Sequence, residues 1–451
     1  MRATRLPGSF RDPAGHVFVA DGTLYRQIEP AGREAYQRLM QSGLYDALVR
    51  DGLLLPHEEQ SDGESGIVIR PERIPMVSYP YEWCFSQLRD AALLTLRVQR
   101  TALQFGMSLK DASAYNVQFR RGRPVLIDTL SFEARRPGPW GAYRQYCQHF
   151  YGPLLLASAA DVRLVRLAQV HIDGVPLDLT SKLLPRRSYL RAGPLFHIHL
   201  HAKAERRLSG RTGQPRDPKG GDRGVLALVD SLEAAVTNTA WTPRSEWSSY
   251  YADQPSYGPE AFAGKLDLVR TWLERVRPSV VWDLGANTGR FSRMAAKHAG
   301  LVVAFDADPA CVETIYREAR SDDVDRLLPL VNDLANPSPA IGWANEERFT
   351  LEERGPADLV LALALVHHLA ISNNVPLSAI ATYLARIARH VIIEFIPKSD
   401  PMVQTMIASR PGMFDGYTAG EFERAFAPRF VIDERAAVAP SDRTLYLMTA
   451  R

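Results

Sequence analysis

Cysteine is scarce in this chain: Cys84, Cys147 and Cys311 are the only three among 451 residues. They fall in no paired spacing, which argues against a disulfide framework and against a thiolate metal site. Long apolar runs are missing too. Leu154-Leu-Leu-Ala-Ser is far too short to span a bilayer, and Met1 to Gly8 hold no apolar core of signal-peptide length. Charge of one sign is not in excess, since 54 Lys and Arg face 51 Asp and Glu, a formal +3. That balance gives no reason to expect a nucleic-acid or membrane partner. Together these absences predict a reducing, cytoplasmic setting. No internal repeat is evident. What remains is ordinary globular composition, 46% hydrophobic and 23% charged, with length for two or three domains.

The most informative stretch is Ser279-Val-Val-Trp-Asp283-Leu-Gly285-Ala-Asn287-Thr-Gly289-Arg-Phe-Ser292. A short apolar run ends in a carboxylate, a turn of small residues follows, and a helix begins. This predicts a strand–loop–helix ligand cradle. Val280-Val-Trp does not alternate, as expected of a parallel strand covered on both faces. A dinucleotide fingerprint needs Gly at the first, third and sixth positions of this turn. Here Gly285 is followed by Asn287 and Arg290 at those places, which argues against a nicotinamide cofactor.

Further strand ends carry acids. Leu301-Val-Val-Ala-Phe leads into Asp306-Ala-Asp308, and a carboxylate there can accept two hydrogen bonds from a ribose diol. Asp308 before Pro309 reads as a helix cap. Leu327-Leu-Pro-Leu-Val-Asn-Asp333-Leu334 reads as a third strand ending in an acid. Ala357 to Ala364 reads as a fourth, leaving through Leu365-Val-His367-His368. Strand-end acids are individually common, but three in register with intervening helices form a set.

The spacing Asp283-x-Gly285-x-Asn287-x-Gly289 resembles the first motif of class I S-adenosylmethionine-dependent methyltransferases. The resemblance covers about residues 241–451. It implies an α/β, Rossmann-like domain with a seven-stranded sheet, one strand antiparallel, and S-adenosylmethionine as cofactor. It puts the small residues Gly285, Asn287 and Gly289 against the methionine part and Asp283 at its ammonium group. Asp306 then meets the ribose, Asp333 and Leu334 the adenine, and Ala364 the donor–acceptor junction. Trp282-Asp-Leu-Gly-Ala-Asn-Thr-Gly, Leu363-Ala-Leu-Val-His-His-Leu, Ile393-Glu-Phe-Ile-Pro-Lys398 and Arg443-Thr-Leu-Tyr-Leu-Met resemble a bacterial group of nodulation-type methyltransferases. The group implies no defined acceptor, and a small molecule or glycan-like compound is expected. The Asn/Asp-Pro-Pro-aromatic motif of DNA amino-methyltransferases is absent.

Methyl transfer from a sulfonium requires alignment and, for some acceptors, a base. His367 and His368 are the candidates, because imidazole titrates near neutrality. The alternative for each is a structural histidine at a helix start. Glu394, ending the fifth strand, either orients an acceptor or takes part in a structural pair.

The front half reads as an α+β domain over residues 1–205. Gly15 to Ile28 is a hairpin turning at Asp21-Gly22. A helix follows from Pro30, then strand candidates at Gly66 to Arg70 and Ile74 to Tyr79, then an amphipathic helix from Leu88 to Phe105. Asp111, Asn116 and Asp128 resemble the catalytic Asp, metal-binding Asn and second metal-binding Asp of protein-kinase-like phosphotransferases. The departures are a missing glycine-rich loop, Arg26 at the place of the strand lysine, Thr129 where a Gly follows the second Asp, and Leu109-Lys110 in place of the loop histidine. Three readings stay open: a hairpin held by a satisfied Asp–Asn pair, a kinase-like fold without activity, and an active phosphotransferase. His197, His199 and His201 would share one face of a strand, as a metal site or, more simply, as a partly exposed row. Residues 206–224, basic and rich in Gly and Pro, read as a linker. The methyltransferase-like domain then spans 225–451, opening with a helix from Val225 to Asn238. An aromatic lead-in, Trp241 to Tyr257, folds over a ligand or packs as a cap.

Overall fold

The computed structural model describes residues 3–64, 66–208, 221–243, 258–410 and 412–451. Most of the expected linker, 209–220, and most of the aromatic lead-in, 244–257, lie outside the described residues. The chain divides into two compact units: Met1–Thr242 with Ala340–Arg348, and Pro243–Pro339 with Phe349–Arg451.

The first unit opens with strands β1 (Ala3–Arg5), β2 (Gly15–Ala20), β3 (Thr23–Ile28), β4 (His57–Gly63) and β5 (Gly66–Pro71), paired in the order β1-β2-β3-β5-β4. Asp21 and Gly22 both have positive φ, 48° and 77°, the backbone a two-residue hairpin turn needs. The helix Phe85–Gln104 buries Leu88, Ala92, Leu96 and Leu103. Two small ladders follow: β6 (Met107–Leu109) pairs with β9 (Phe132–Ala134), and β7 (Val117–Arg120) with β8 (Arg123–Leu126).

Three expectations need correction. Ile74 to Tyr79 forms no strand, because the Ser78 backbone finds its partners on a side chain: its N–H donates to Gln118 Oε1 at 2.8 Å and its carbonyl accepts from Gln118 Nε2 at 2.9 Å. The histidines at 197, 199 and 201 are helical, on the π-helical stretch Leu195–Leu200 and the helix after it, so they share no strand face. The His197 ring sits between Tyr143 Oη and Ser231 Oγ, and that of His199 between Ser181 Oγ and Ser188 Oγ. The helix Asp222–Thr237 belongs to the first unit, not the second. It is held there by Arg100, which donates to Asp230 and Glu233 at 2.6 Å each, and by its buried Val225, Val229, Leu232 and Val236.

The second unit carries β10 (Val280–Leu284), β11 (Leu301–Asp306), β12 (Leu327–Val331), β13 (Ala357–Ala362), β14 (Ala388–Phe395), β15 (Phe430–Ala437) and β16 (Thr444–Ala450). They form a seven-stranded sheet in the order β12-β11-β10-β13-β14-β16-β15. The first five run parallel, and β16 is antiparallel to both its neighbours. Buried side chains from strands and helices, among them Val281, Leu359, Ile392, Ile315 and Trp272, form one core cluster. Successive strands lie to one side of β10 and then, from β13, to the other. Such a reversal opens a crevice beyond the carboxyl ends of the two strands, where open α/β sheets bind ligands.

Candidate functional site

The cradle residues sit at that crevice. After β10, Gly285, Asn287 and Gly289 all have positive φ, at 76°, 51° and 77°. A Cβ on Gly289 would approach Ile315 Cγ1 to 2.8 Å, so only glycine keeps the helix Pro309–Ser321 this close. The Gly285 and Ala286 N–H groups both donate to the Phe305 carbonyl, at 2.8 and 2.9 Å, which ties the turn to the end of β11. Asp306 completes the tie. Its Oδ2 accepts from Asn287 N at 2.7 Å and its Oδ1 from Asp308 N at 2.8 Å. Asp308 caps the next helix, accepting from Ala310 N at 2.9 Å.

Asp283 is buried and accepts a hydrogen bond from Ser292 Oγ at 2.5 Å. Burial pushes the carboxyls of Asp283 and Asp306 up to about 6 each. Both are therefore acids that a nearby cation would ionise fully. Asp333 lies two residues beyond the end of β12, and its Oδ1 accepts from Ala335 N at 2.9 Å in a tight turn. Asp333 and Leu334 are both partly buried.

Ala364 leaves β13 in a left-handed conformation, φ 51°, uncommon for a residue with a Cβ. Glu394 explains how it is held. This carboxylate is fully buried in β14; its Oε2 accepts from Ala364 N at 2.8 Å and from Lys265 Nζ at 2.6 Å. Arg443 Nη1 lies 3.7 Å from Oε1, and Arg443 in turn pairs with Asp400 at 2.7 Å. Glu394 is thus half of a buried ion pair and a clamp on the loop through Oε2, while its Oε1 has no hydrogen-bond partner among the described residues.

The sequence reading missed Lys265 and Arg443. The signal was there: Lys265 lies on the same helical stripe as Val269, Trp272 and Leu273, and Glu394 interrupts the apolar run of β14. Opposite charges on two apolar faces imply a buried pair.

His367 is buried, and its Nδ1 has no hydrogen-bond partner among the described residues. Burial, with His368, Arg443 and Lys265 nearby, holds its imidazole well below its usual range. His368 is partly buried, its imidazole lowered by burial, and its ring centroid is 4.2 Å from that of His367. Both rings are neutral at physiological pH.

In the first unit the Asp–Asn set is occupied by its own surroundings. Asp128 Oδ1 pairs with Arg26 Nη1 at 2.6 Å and accepts from Leu130 N at 2.9 Å, while Oδ2 accepts from Ser131 Oγ at 2.6 Å. Asn116 Nδ2 donates to the same Ser131 hydroxyl, and Asp111 Oδ1 accepts from Gln145 Nε2 and Ser113 N. Beside Arg26 is a cavity of about 350 Å³, lined mainly by apolar residues such as Val17, Leu24, Leu55 and Ile127. Three of its lining residues carry a buried polar atom without a hydrogen-bond partner among the described residues: Arg26 Nε, His57 Nδ1 and Thr129 Oγ1.

No protein-family model matches the chain. The nodulation protein NoeA of Rhizobium meliloti (strain 1021) is 33% identical over 466 residues, covering 99% of this chain and 96% of its own. Among solved structures, the N-methyltransferase NodS from Bradyrhizobium japonicum WM9 shares 13% identity over 42% of this chain and 97% of its own, with a TM-score of 0.30. The magnesium protoporphyrin IX methyltransferase of Synechocystis PCC 6803 with bound S-adenosylmethionine shares 17% over 47% and 100%, with a TM-score of 0.32. The bifunctional kinase-methyltransferase WbdD shares 17% over 45% and 42%, with a TM-score of 0.31.

Proposed function

The chain belongs to the family of the nodulation protein NoeA, and on that footing we propose that its second unit is an S-adenosylmethionine-dependent methyltransferase acting on a small-molecule or glycan-like acceptor. One observation carries the reading. Asp306 accepts the Asn287 N–H, so the two acid-bearing motifs are joined at neighbouring strand ends, beside the reversal in strand order. The seven-stranded sheet with a single reversed strand is the arrangement that the motif resemblance implies.

The residues present fit this cofactor. Asp283 would take its ammonium group, the left-handed turn Gly285–Gly289 its methionine backbone, Asp306 its ribose, and Asp333 with Leu334 its adenine. Bound there, S-adenosylmethionine supplies an activated methyl group. The chain's own part is to align the acceptor and, for an acceptor that loses a proton, to receive it. His368 suits that role better than His367, being less buried. Glu394 acts one step back, holding the Ala364 amide that shapes the loop.

Calorimetric titration of the full chain with S-adenosylmethionine tests the reading. Binding is expected, and Asp306→Ala should weaken it roughly 10- to 100-fold, as loss of hydrogen bonds to a charged acceptor does. No heat of binding to the wild type would overturn the proposal.

A second reading, phosphotransfer in the first unit, is disfavoured by the Arg26–Asp128 ion pair and by the internal donors already on Asp111 and Asp128. The apolar cavity with its three unpartnered polar atoms supports a non-catalytic binding module instead.

A further inference from the structure

We propose that the surface carried by residues 182–203 of the first unit docks on an anionic lipid bilayer. Single exposed hydrophobic side chains are normal on a protein surface, but a cluster of them marks an interaction site. Here five fall in one short stretch: Leu183 is 42% exposed, Tyr189 49%, Leu190 88%, Phe196 59% and Leu200 44%.

These side chains belong to one packed corner. The His199 ring joins its segments, bonding Ser181 Oγ at the end of the helix Leu177–Leu183 and Ser188 Oγ in the turn Arg186–Leu190, both at 2.8 Å. The Tyr189 ring stacks on the same imidazole with centroids 3.7 Å apart and planes 11° from parallel. Phe196 and Leu200 flank His199 along the π-helical stretch.

Within this stretch of the chain the charge is of one sign. Lys182, Arg186, Arg187, Arg191 and Lys203 are all exposed, and residues 179–204 contain no Asp or Glu. Lys182 pairs with Asp178 at 3.3 Å. Among the described residues, the other four make no ion pair with a carboxylate. The chain's near-neutral total conceals this patch. An apolar surface rimmed by cations matches the bilayer interface, where aliphatic and aromatic side chains enter the acyl boundary and Lys and Arg meet acidic headgroups. Nucleic acid shares the charge but not the rest. Leu183, Leu190 and Leu200 offer no ring to a base, whereas a nucleic-acid surface stacks its bases on aromatic side chains.

The test is co-sedimentation of the full chain with phosphatidylcholine vesicles, with and without 30% phosphatidylglycerol (about the acidic fraction the charge argument requires). Binding only to the acidic vesicles, weakened by salt, is expected. Arg186→Gln with Arg187→Gln should lower the partition coefficient by about 25-fold, at about fivefold per basic residue. Leu190→Glu with Phe196→Glu should abolish binding. These side chains are exposed, so circular dichroism and S-adenosylmethionine binding should be unchanged, which separates this proposal from the methyltransferase reading. Absent binding to acidic vesicles, or binding that both variants retain, would overturn it. So would light scattering that shows a dimer lost in the Leu190→Glu, Phe196→Glu variant, or tighter binding to a single-stranded oligonucleotide than to the vesicles.

Discussion

At the scale of residues, the second unit is governed by buried charge. Asp283 and Asp306, ordinary in the sequence, become weak acids near pH 6 because the crevice removes them from water. The sign of the consequence follows from linkage. In the free protein their folded values lie above the unfolded value of 3.8, so between about pH 4 and 6 the folded state holds more protons. Their contribution to stability therefore grows as pH falls through that window. A bound ammonium group favours the ionised carboxylates and reverses the trend. Affinity for S-adenosylmethionine should drop roughly tenfold between pH 7 and pH 5, as calorimetry at the two values would report. Unchanged affinity would remove Asp283 from the ammonium's neighbourhood. Glu394 makes a sharper case. Truncating it to Ala leaves Lys265 and Arg443 buried without their shared carboxylate, and should cost about 3–5 kcal/mol in chemical denaturation. Lys265→Met in the Glu394→Ala background should recover part of that loss, because no uncompensated ammonium then remains.

At the scale of elements, the parallel strands were legible because they are buried on both faces and so read as unbroken apolar runs. The strand–turn–helix after β10 was legible because its small residues answer a local backbone demand. Gly289→Ala combines positive φ with a 2.8 Å approach to Ile315, and should destabilise the second unit by about 1–3 kcal/mol in thermal or urea unfolding. Elements whose partners lie far away were misread. Ile74 to Tyr79 has strand composition, yet its backbone bonds to Gln118, a side chain no local pattern could nominate. The alternating histidines fit a period of two on paper. Their positions are helical, and each of the two buried rings lies between two hydroxyls. Glycine and proline counts drew the domain boundary at residue 224, but the apolar face of Asp222–Thr237 is buried in the first unit.

At the scale of the whole molecule, the chain divides into two compact units. Against the phosphotransfer reading of the first unit, Arg26 pairs with Asp128, the carboxylate such an enzyme would offer to a metal. Millimolar Mg–ATP should give no magnesium-dependent rise in melting temperature. A rise that vanishes with chelator would restore the phosphotransfer reading. The surface of the same unit departs furthest from what composition suggested, because net charge is a sum and docking depends on where the charges lie.

The sequence by itself determined the strand–turn–helix cradle, the acids at successive strand ends and the membership of a nodulation-type group. The first two are encoded by neighbours in the chain, through periodicity and backbone preference, and the third rests on the resemblance of its motifs. Only the tertiary structure decided that Glu394 joins Lys265 to the Ala364 amide, that Arg26 closes on Asp128, and that the helix at 222–237 belongs with the first unit. Those outcomes depend on which charges and apolar faces meet across 100 or more residues, and burial, not local pattern, sets their energies.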